Sequence, residues 1–324
     1  MLGRLGEVCV NYPGGCVIGE RPIDLHLYGL EKLGAQIWIE GNHIHAYADE
    51  LRGAVIDFAF PSVGATENAL LAAVLARGKT VIEGAAREPE IISLCQLLRR
   101  MGADICGEGS SRIEVCGVER LFGTVFDVPG DRIAAGTYLA AVAGAGGHVR
   151  ILKGPWEFMQ EEIRVFRQIG AEVEPISSKT GEVCGIELWM EKRPKAISLS
   201  TGPYPGFPTD LQSPMLAVLS RAEGISQVRE EVFEARFKTA GQLQKMGAQI
   251  EVSGNCARIF GQERLLGARV QAMDLRGGAA LAAAALAACG ETMITDCIHI
   301  ERGYEDICRD IRLLHGEICW VQKK

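Results

Sequence analysis

The spacing of apolar and polar positions changes period at regular intervals along the 324 residues. Stretches with a period near two, the mark of a strand with one buried face, alternate with stretches in which apolar residues return every three or four positions, the mark of a helix with one buried stripe. Residues 52–117 run through the cycle most fully. Strands are expected at 54–58 and 79–83, helices at about 67–77 and 89–101, and two closing strands at 104–108 and 112–116, joined by Gly109, Ser110 and Ser111. Leu70, Leu71, Val74 and Leu75 would share one face of the first helix. The unit reads βαβαββ.

This unit recurs. A helix end, a glycine, a small residue and a β-type run appear at Leu33-Gly34-Ala35, Met101-Gly102-Ala103, Ile169-Gly170-Ala171, Met246-Gly247-Ala248 and, in degenerate form, His315-Gly316-Glu317. The glycines lie 68, 68, 77 and 69 residues apart. A second glycine, closing an alanine-rich helix ahead of a strand, keeps the same beat at Gly6, Gly78, Gly147, Gly224 and Gly290. Two markers in phase imply an array of one α/β unit. Only five residues precede Gly6, so the first copy starts in mid-unit, whereas an architecture closed by symmetry would hold six copies, three per domain. An N-terminal truncation is therefore expected. Val128-Pro129-Gly130 is the expected domain boundary, with a short first domain at 1–129 and a three-unit second domain at 130–324.

At 48% hydrophobic the chain can bury a large core, and its longest apolar stretch, residues 279–289, is too short to cross a bilayer. Neither a membrane nor a nucleic acid is an expected partner, since the net charge is −7. Eleven cysteines without a CxxC pair suit a reducing, cytoplasmic setting, and all but Cys16 are expected as buried small hydrophobes.

Each unit has two strand-to-helix loops, and unusual residues gather in them. Ser62-Val63-Gly64, Gly130-Asp131-Arg132, Phe207 to Asp210 and Asp274-Leu275-Arg276 occupy the first. Gly14 to Cys16 with Arg21, Arg87-Glu88-Pro89, Glu234-Ala235-Arg236 and Glu301-Arg302-Gly303 occupy the second, and the third unit, with Trp156, is the exception. Equivalent loops of stacked units share an edge, where helix N-termini favour anions. Six arginines in register, at 21, 87, 132, 236, 276 and 302, fit a small, highly charged substrate better than mutual repulsion. Cys16 sits in a glycine-rich loop near that charge, which favours a reactive thiolate. Asp210 stands at a helix start, where capping and catalysis are both open roles. His43 and His45 share a strand face, but no third metal ligand is near. Gly144 to Gly147 ends a helix, where a dinucleotide loop would open one.

Pro13 to Gly19 with Arg21-Pro22-Ile23-Asp24-Leu25-His26, then Phe60 to Thr66, residues 83–91, Asp131-Arg132-Ile133, Phe207-Pro208-Thr209-Asp210, Arg236-Phe237, Asp274-Leu275-Arg276 and His299 to Tyr304, resemble the UDP-N-acetylglucosamine 1-carboxyvinyltransferases. The resemblance spans the whole chain. The cysteine loop followed by the Arg21 to His26 run separates this family from the related shikimate-pathway transferases. It implies an α/β fold of the inside-out barrel type. It also implies enolpyruvate transfer from phosphoenolpyruvate to the 3′-hydroxyl of UDP-N-acetylglucosamine, with no metal or other cofactor.

Carried over by motif, Cys16 is the general acid, its loop closes over the site, and Asp210 accepts the sugar hydroxyl proton. Arg21, Arg276 and Arg302 hold phosphate and carboxylate. Arg21, Pro22, Ile23, Asp24 and Leu25 with Ser62, Val63 and Gly64 line the nucleotide pocket, and Val232 lies near the sugar. Glu88, Asp131, Arg132, Arg236 and Asp274 complete the implied substrate-binding set. The family begins with a further segment carrying a Lys-Asn pair, absent here, so roughly one and a half units are expected to be missing. Ala134 and Ala235 replace the family's usual glutamate and asparagine. These departures leave a non-catalytic UDP-sugar-binding or regulatory relative as the alternative.

Overall fold

The computed structural model describes residues 1–13 and 22–321. It divides into two compact units: the first holds 1–13, 22–128 and Pro203–Pro205, the second 129–202 and 206–321.

In the first unit, α1 (Leu2–Leu5), β1 (Glu7–Asn11), α2 (Asp24–Lys32), β2 (Gln36–Glu40) and β3 (His43–Tyr47) precede a complete repeat. That repeat is β4 (Val55–Asp57), α3 (Val63–Ala73), β5 (Lys79–Glu83), α4 (Pro89–Arg100), β6 (Asp104–Cys106) and β7 (Arg112–Cys116). The strands run in the order β1-β3-β2 and β4-β5-β7-β6. β4 and β5 are parallel across α3, and β6 and β7 are antiparallel across a short turn, as their connection lengths require. Leu33, Ile56, Leu70, Ile82, Ile91, Ile113 and Val115 form a core with no measurable exposure.

The second unit starts with α5 (Arg132–Ala145), β8 (Gly147–Leu152), α6 (Gln160–Gln168), β9 (Glu172–Ser177) and β10 (Val183–Met190). A second complete repeat follows: β11 (Ser198–Ser200), α7 (Gln212–Leu219), β12 (Ile225–Arg229), α8 (Lys238–Lys245), β13 (Gln249–Ser253) and β14 (Cys256–Phe260). The last elements are β15 (Leu265–Leu266), β16 (Arg269–Gln271), α9 (Leu275–Leu286), β17 (Ala288–Cys289), β18 (Met293–Thr295), α10 (Ile298–Glu301) and α11 (Ile307–Leu313). Strand orders are β8-β10-β9 and β11-β12-β14-β13, the latter repeating the topology of β4 to β7. The largely buried helices α5, α7 and α9, the first and last of them rich in alanine, pack against one another pairwise. All eight residues of α7 are buried, as an apolar helix enclosed on every side must be. The sheets bury one face and expose the other, as in the alternating pattern of β12.

The glycine markers have a common backbone reason. Gly34, Gly102, Gly170 and Gly247 take φ between 89° and 103°, and Gly6, Gly78, Gly147, Gly224 and Gly290 between 74° and 120°. These are left-handed conformations that side chains with a Cβ rarely adopt.

Several expectations are corrected. α3 begins at Val63 rather than 67, because the Ser62 hydroxyl accepts from the Ala65 amide at 3.3 Å and starts the helix one turn earlier. Leu71 is 49% exposed and leaves the apolar face that Leu70 and Val74 form. β6 stops at Cys106, where Gly107 turns to φ 91°. At the fifth marker the left-handed residue is His315, not Gly316, and residues 314–321 form no strand. Of the ten cysteines expected to be buried, only Cys95 and Cys308 are; Cys9, Cys106, Cys116, Cys184, Cys289 and Cys319 are exposed, standing mainly at outward positions of strands.

Candidate active site

Asp210 lies in the single 3₁₀ turn Thr209–Leu211 that opens α7. Pro208, not Asp210, holds the capping position, which leaves the Asp210 carboxylate for other partners. Arg236, 3% exposed, donates from Nη2 to Oδ1, and Arg276, 13% exposed, donates from Nη2 to Oδ2 at 3.3 Å. One carboxylate thus takes a guanidinium on each oxygen, with both cations largely shielded from water.

Each partner is held from its own element. Arg236 precedes α8 and donates from Nε to the Thr209 carbonyl at 3.4 Å. Arg276 stands in the first turn of α9, which Asp274 caps by accepting from the Arg276 and Gly277 amides at 3.0 and 2.9 Å. Burial alone would lower the Arg276 pKa. The charge of Asp210, the Tyr304 phenol and Asp131 outweigh it, and the guanidinium is held above the ordinary arginine range. Asp131 caps α5 in the same manner as Asp274, accepting from the Ile133 and Ala134 amides. Arg276 Nε is buried without a hydrogen-bond partner among the described residues.

Two buried glutamates that the sequence reading missed brace this region. Glu230, 2% exposed, accepts the Thr209 hydroxyl at 2.9 Å and the Val232 and Phe233 amides at 3.0 and 3.1 Å, tying the Asp210 turn to the segment before Arg236. Its position was legible, since Ser226, Val228 and Glu230 share the buried face of β12 and its continuation. Glu162, 2% exposed on the apolar face of α6, accepts from Arg132 Nη1 at 3.4 Å. Burial pushes its carboxyl above the usual glutamate range against the opposing pull of Arg132. A charged residue amid Met159, Ile163, Val165 and Phe166 was the sequence signal. Arg302 is exposed at the C-terminal end of α10, the single-turn helix within the connection from β18 to α11.

In the first unit, Ile23 occupies the capping position of α2, with exposed Pro22 before it and Asp24 and Leu25 in its first turn. His26 follows, and its ring lies so close to Gly64 that a Cβ there would sit 2.9 Å from Cε1. His26 Nδ1 also meets Asn68 Nδ2 at 2.6 Å. Burial lowers the His26 pKa against the raising effect of Asp24. Thr66 joins two further segments, donating to the Ser62 carbonyl at 2.8 Å and accepting from the Ala86 amide at 3.0 Å. Ser62, Val63 and Gly64 are thereby held next to the loop leading to Glu88, which is 8% exposed at the start of α4. Cys16 and Arg21 lie outside the described residues. Among the described residues no His, Cys, Asp and Glu cluster is arranged for a metal ion, and no helix is long and apolar enough to cross a membrane.

A family model described as EPSP synthase (3-phosphoshikimate 1-carboxyvinyltransferase) matches residues 1–311. A UDP-N-acetylglucosamine 1-carboxyvinyltransferase of Paracoccus denitrificans is 48% identical over 98% of this chain and 74% of its own length. The chain belongs to the UDP-N-acetylglucosamine 1-carboxyvinyltransferase family. The protein of the same name from Ruegeria pomeroyi is 46% identical over 98% of this chain and 75% of its own length. The fold is shared more widely than this family. The enolpyruvyl transferase NikO from Streptomyces tendae superposes with a TM-score of 0.84 at 23% identity, over 98% of this chain and 74% of that one. An EPSP synthase from Acinetobacter baumannii gives 0.72 at 20% identity, over 97% and 75%. The UDP-N-acetylglucosamine 1-carboxyvinyltransferase family and these structures have the two-domain α/β enolpyruvyl transferase fold in common.

Proposed function

We propose that this chain transfers the enolpyruvyl group of phosphoenolpyruvate to the 3′-hydroxyl of UDP-N-acetylglucosamine and releases phosphate, the first committed step of peptidoglycan synthesis. The observation that carries the reading is the Asp210 carboxylate bracketed by Arg236 and Arg276. A carboxylate among cations is the pairing that addition of an alcohol to an anionic enol phosphate requires, since one group takes the hydroxyl proton while others bind phosphate and carboxylate.

In this reading the sugar oxygen bonds to the central carbon of phosphoenolpyruvate as its proton passes to Asp210, and Cys16 gives a proton to the methylene carbon. A tetrahedral ketal results. The Cys16 thiolate then takes a proton back from the new methyl group, which restores the double bond as phosphate leaves with the electron pair of the broken C–O bond. Arg21, Arg276 and Arg302 hold the phosphate and carboxylate, with Arg132, Arg236, Asp131 and Asp274 shaping that end of the site. Residues 21–25 with Ser62, Val63, Gly64 and Glu88 serve the nucleotide, and Val232 the sugar.

The domain assignment, 1–129 and 130–324, belongs to the same proposal, as does an inside-out barrel with helices innermost. The mutual packing of α5, α7 and α9 supports that arrangement. Both substrates are small cytoplasmic anions, and the protein is proposed to work in that compartment. Proton NMR of the chain with both substrates tests the activity: vinylic methylene signals on a UDP-sugar product are expected. Binding of UDP-N-acetylglucosamine without those signals would favour the non-catalytic alternative.

A further inference from the structure

We propose that Tyr304 and Thr137 form a positioning relay that fixes the orientation of Arg276 and so determines how tightly phosphoenolpyruvate is held. The proposal rests on the assignment of Arg276 to that substrate.

Tyr304 is 4% exposed and Thr137 is 2% exposed. The Thr137 hydroxyl donates to the Ile133 carbonyl one turn earlier in α5, at 2.8 Å. Its one proton is therefore committed, and at 2.8 Å from the Tyr304 oxygen it accepts the phenol proton. The Tyr304 lone pairs are left to face Arg276 Nη1, which donates to them at 3.2 Å. The direction of every bond in the chain follows from counting protons. Ring packing holds the phenol in place: Tyr138 meets Tyr304 edge-on, with centroids 6.1 Å apart and planes at 84°, and Tyr138 itself donates to Asp310 at 2.7 Å.

Arg276 is thus gripped at both terminal nitrogens, Nη1 by Tyr304 and Nη2 by Asp210. A guanidinium held at two points in a buried setting loses little further freedom when an anion binds, whereas one held only by Asp210 can pivot out of register. Tyr304 touches no reacting group in this scheme. It acts through Arg276.

The test is Tyr304→Phe, which keeps the ring and removes the acceptor. KM for phosphoenolpyruvate should rise about tenfold while KM for UDP-N-acetylglucosamine stays within about twofold, the scale of one charge-assisted hydrogen bond. Phenylglyoxal, followed by peptide mapping, should modify Arg276 several-fold faster in the variant. Thr137→Val should act in the same direction, and Thr137→Ser should restore wild-type behaviour. Tyr138→Phe should lower the melting temperature without moving either KM. An unchanged KM for phosphoenolpyruvate with an unchanged Arg276 labelling rate overturns the relay. If Tyr304→Phe does not fold, the Thr137→Val and Thr137→Ser pair decides. If the wild type shows no turnover, the activity reading fails on its own, and the labelling rates still decide whether the relay holds Arg276.

Discussion

Asp210 and Arg276, 66 positions apart in the chain, meet at 3.3 Å because each opens a helix of the same three-helix core. α7 and α9 pack directly together, so their N-terminal turns fall side by side, and a repeat that places polar residues at helix starts gathers them without a dedicated binding element. The arrangement is a property of the repeat.

Asp210→Asn removes the proton acceptor and the negative charge that Arg236 and Arg276 share. Turnover should fall by about two to four orders of magnitude, the usual weight of a general base. Stability should fall by about 1–3 kcal/mol, since two shielded cations lose their partner. Steady-state kinetics and thermal melts check both; a variant with wild-type kcat contradicts the role given to Asp210.

Glu162→Gln should change the pH dependence of stability. Because burial raises the folded-state pKa of Glu162 above its ordinary value of 4.5, the native state retains a proton that the unfolded chain has already released. Below that ordinary value the effect is absent, and as pH rises through the elevated folded pKa the wild type loses stability relative to the glutamine variant. Melting temperatures of the pair from pH 4 to 8 should show the wild type losing ground with rising pH. Parallel curves would contradict the buried, raised carboxyl.

Gly117 and Gly261 are equivalent positions of the two complete repeats. Gly117 donates to the Gly78 carbonyl and Gly261 to the Gly224 carbonyl, at 2.9 and 3.0 Å. A Cβ at Gly117 would stand 1.5 Å from the Ala76 carbonyl oxygen, and one at Gly261 would stand 1.7 Å from that of Ala222. Alanine at either site should destabilise by about 1–3 kcal/mol or more, because backbone must shift. Gly41→Ala, with nothing within 4 Å, provides a comparison that carries only the left-handed backbone penalty at φ 59°. Urea melts of the three variants should rank Gly41→Ala as the mildest.

Thiol labelling should separate the cysteines. Burial pushes Cys95 up to about 12 and leaves it inaccessible, whereas Cys9, Cys106 and Cys184 are exposed. Iodoacetamide at pH 7.5 should modify the exposed group and spare Cys95 until the protein unfolds. Peptide mapping that found Cys95 labelled at the same rate would contradict the core around Ile91 and Leu98.

The repeat was legible because its glycines mark left-handed positions that backbone sterics impose, and the β4 to β7 cycle because period-two and helical spacing are strong there. The start of α3 was misplaced because spacing alone does not register the capping hydroxyl of Ser62. At the degenerate fifth marker the left-handed residue is His315 and not the glycine, which spacing does not register. Cysteine exposure follows strand position rather than residue type: Cys106 and Cys116 stand at outward positions beside buried Ile105 and Val115. In the candidate site, Asp210, Arg236 and Arg276 were named from their loops. Glu162, Glu230 and Tyr304 were not, because a buried charge or phenol acquires meaning only from the partner that three-dimensional packing supplies.

The most direct measurement of the central claim is phosphate release by the purified chain supplied with phosphoenolpyruvate and UDP-N-acetylglucosamine, beside Cys16→Ser and Asp210→Asn. The proposed function predicts release that requires both substrates and is lost in both variants. Release independent of the sugar nucleotide, or unchanged by the two substitutions, would contradict it.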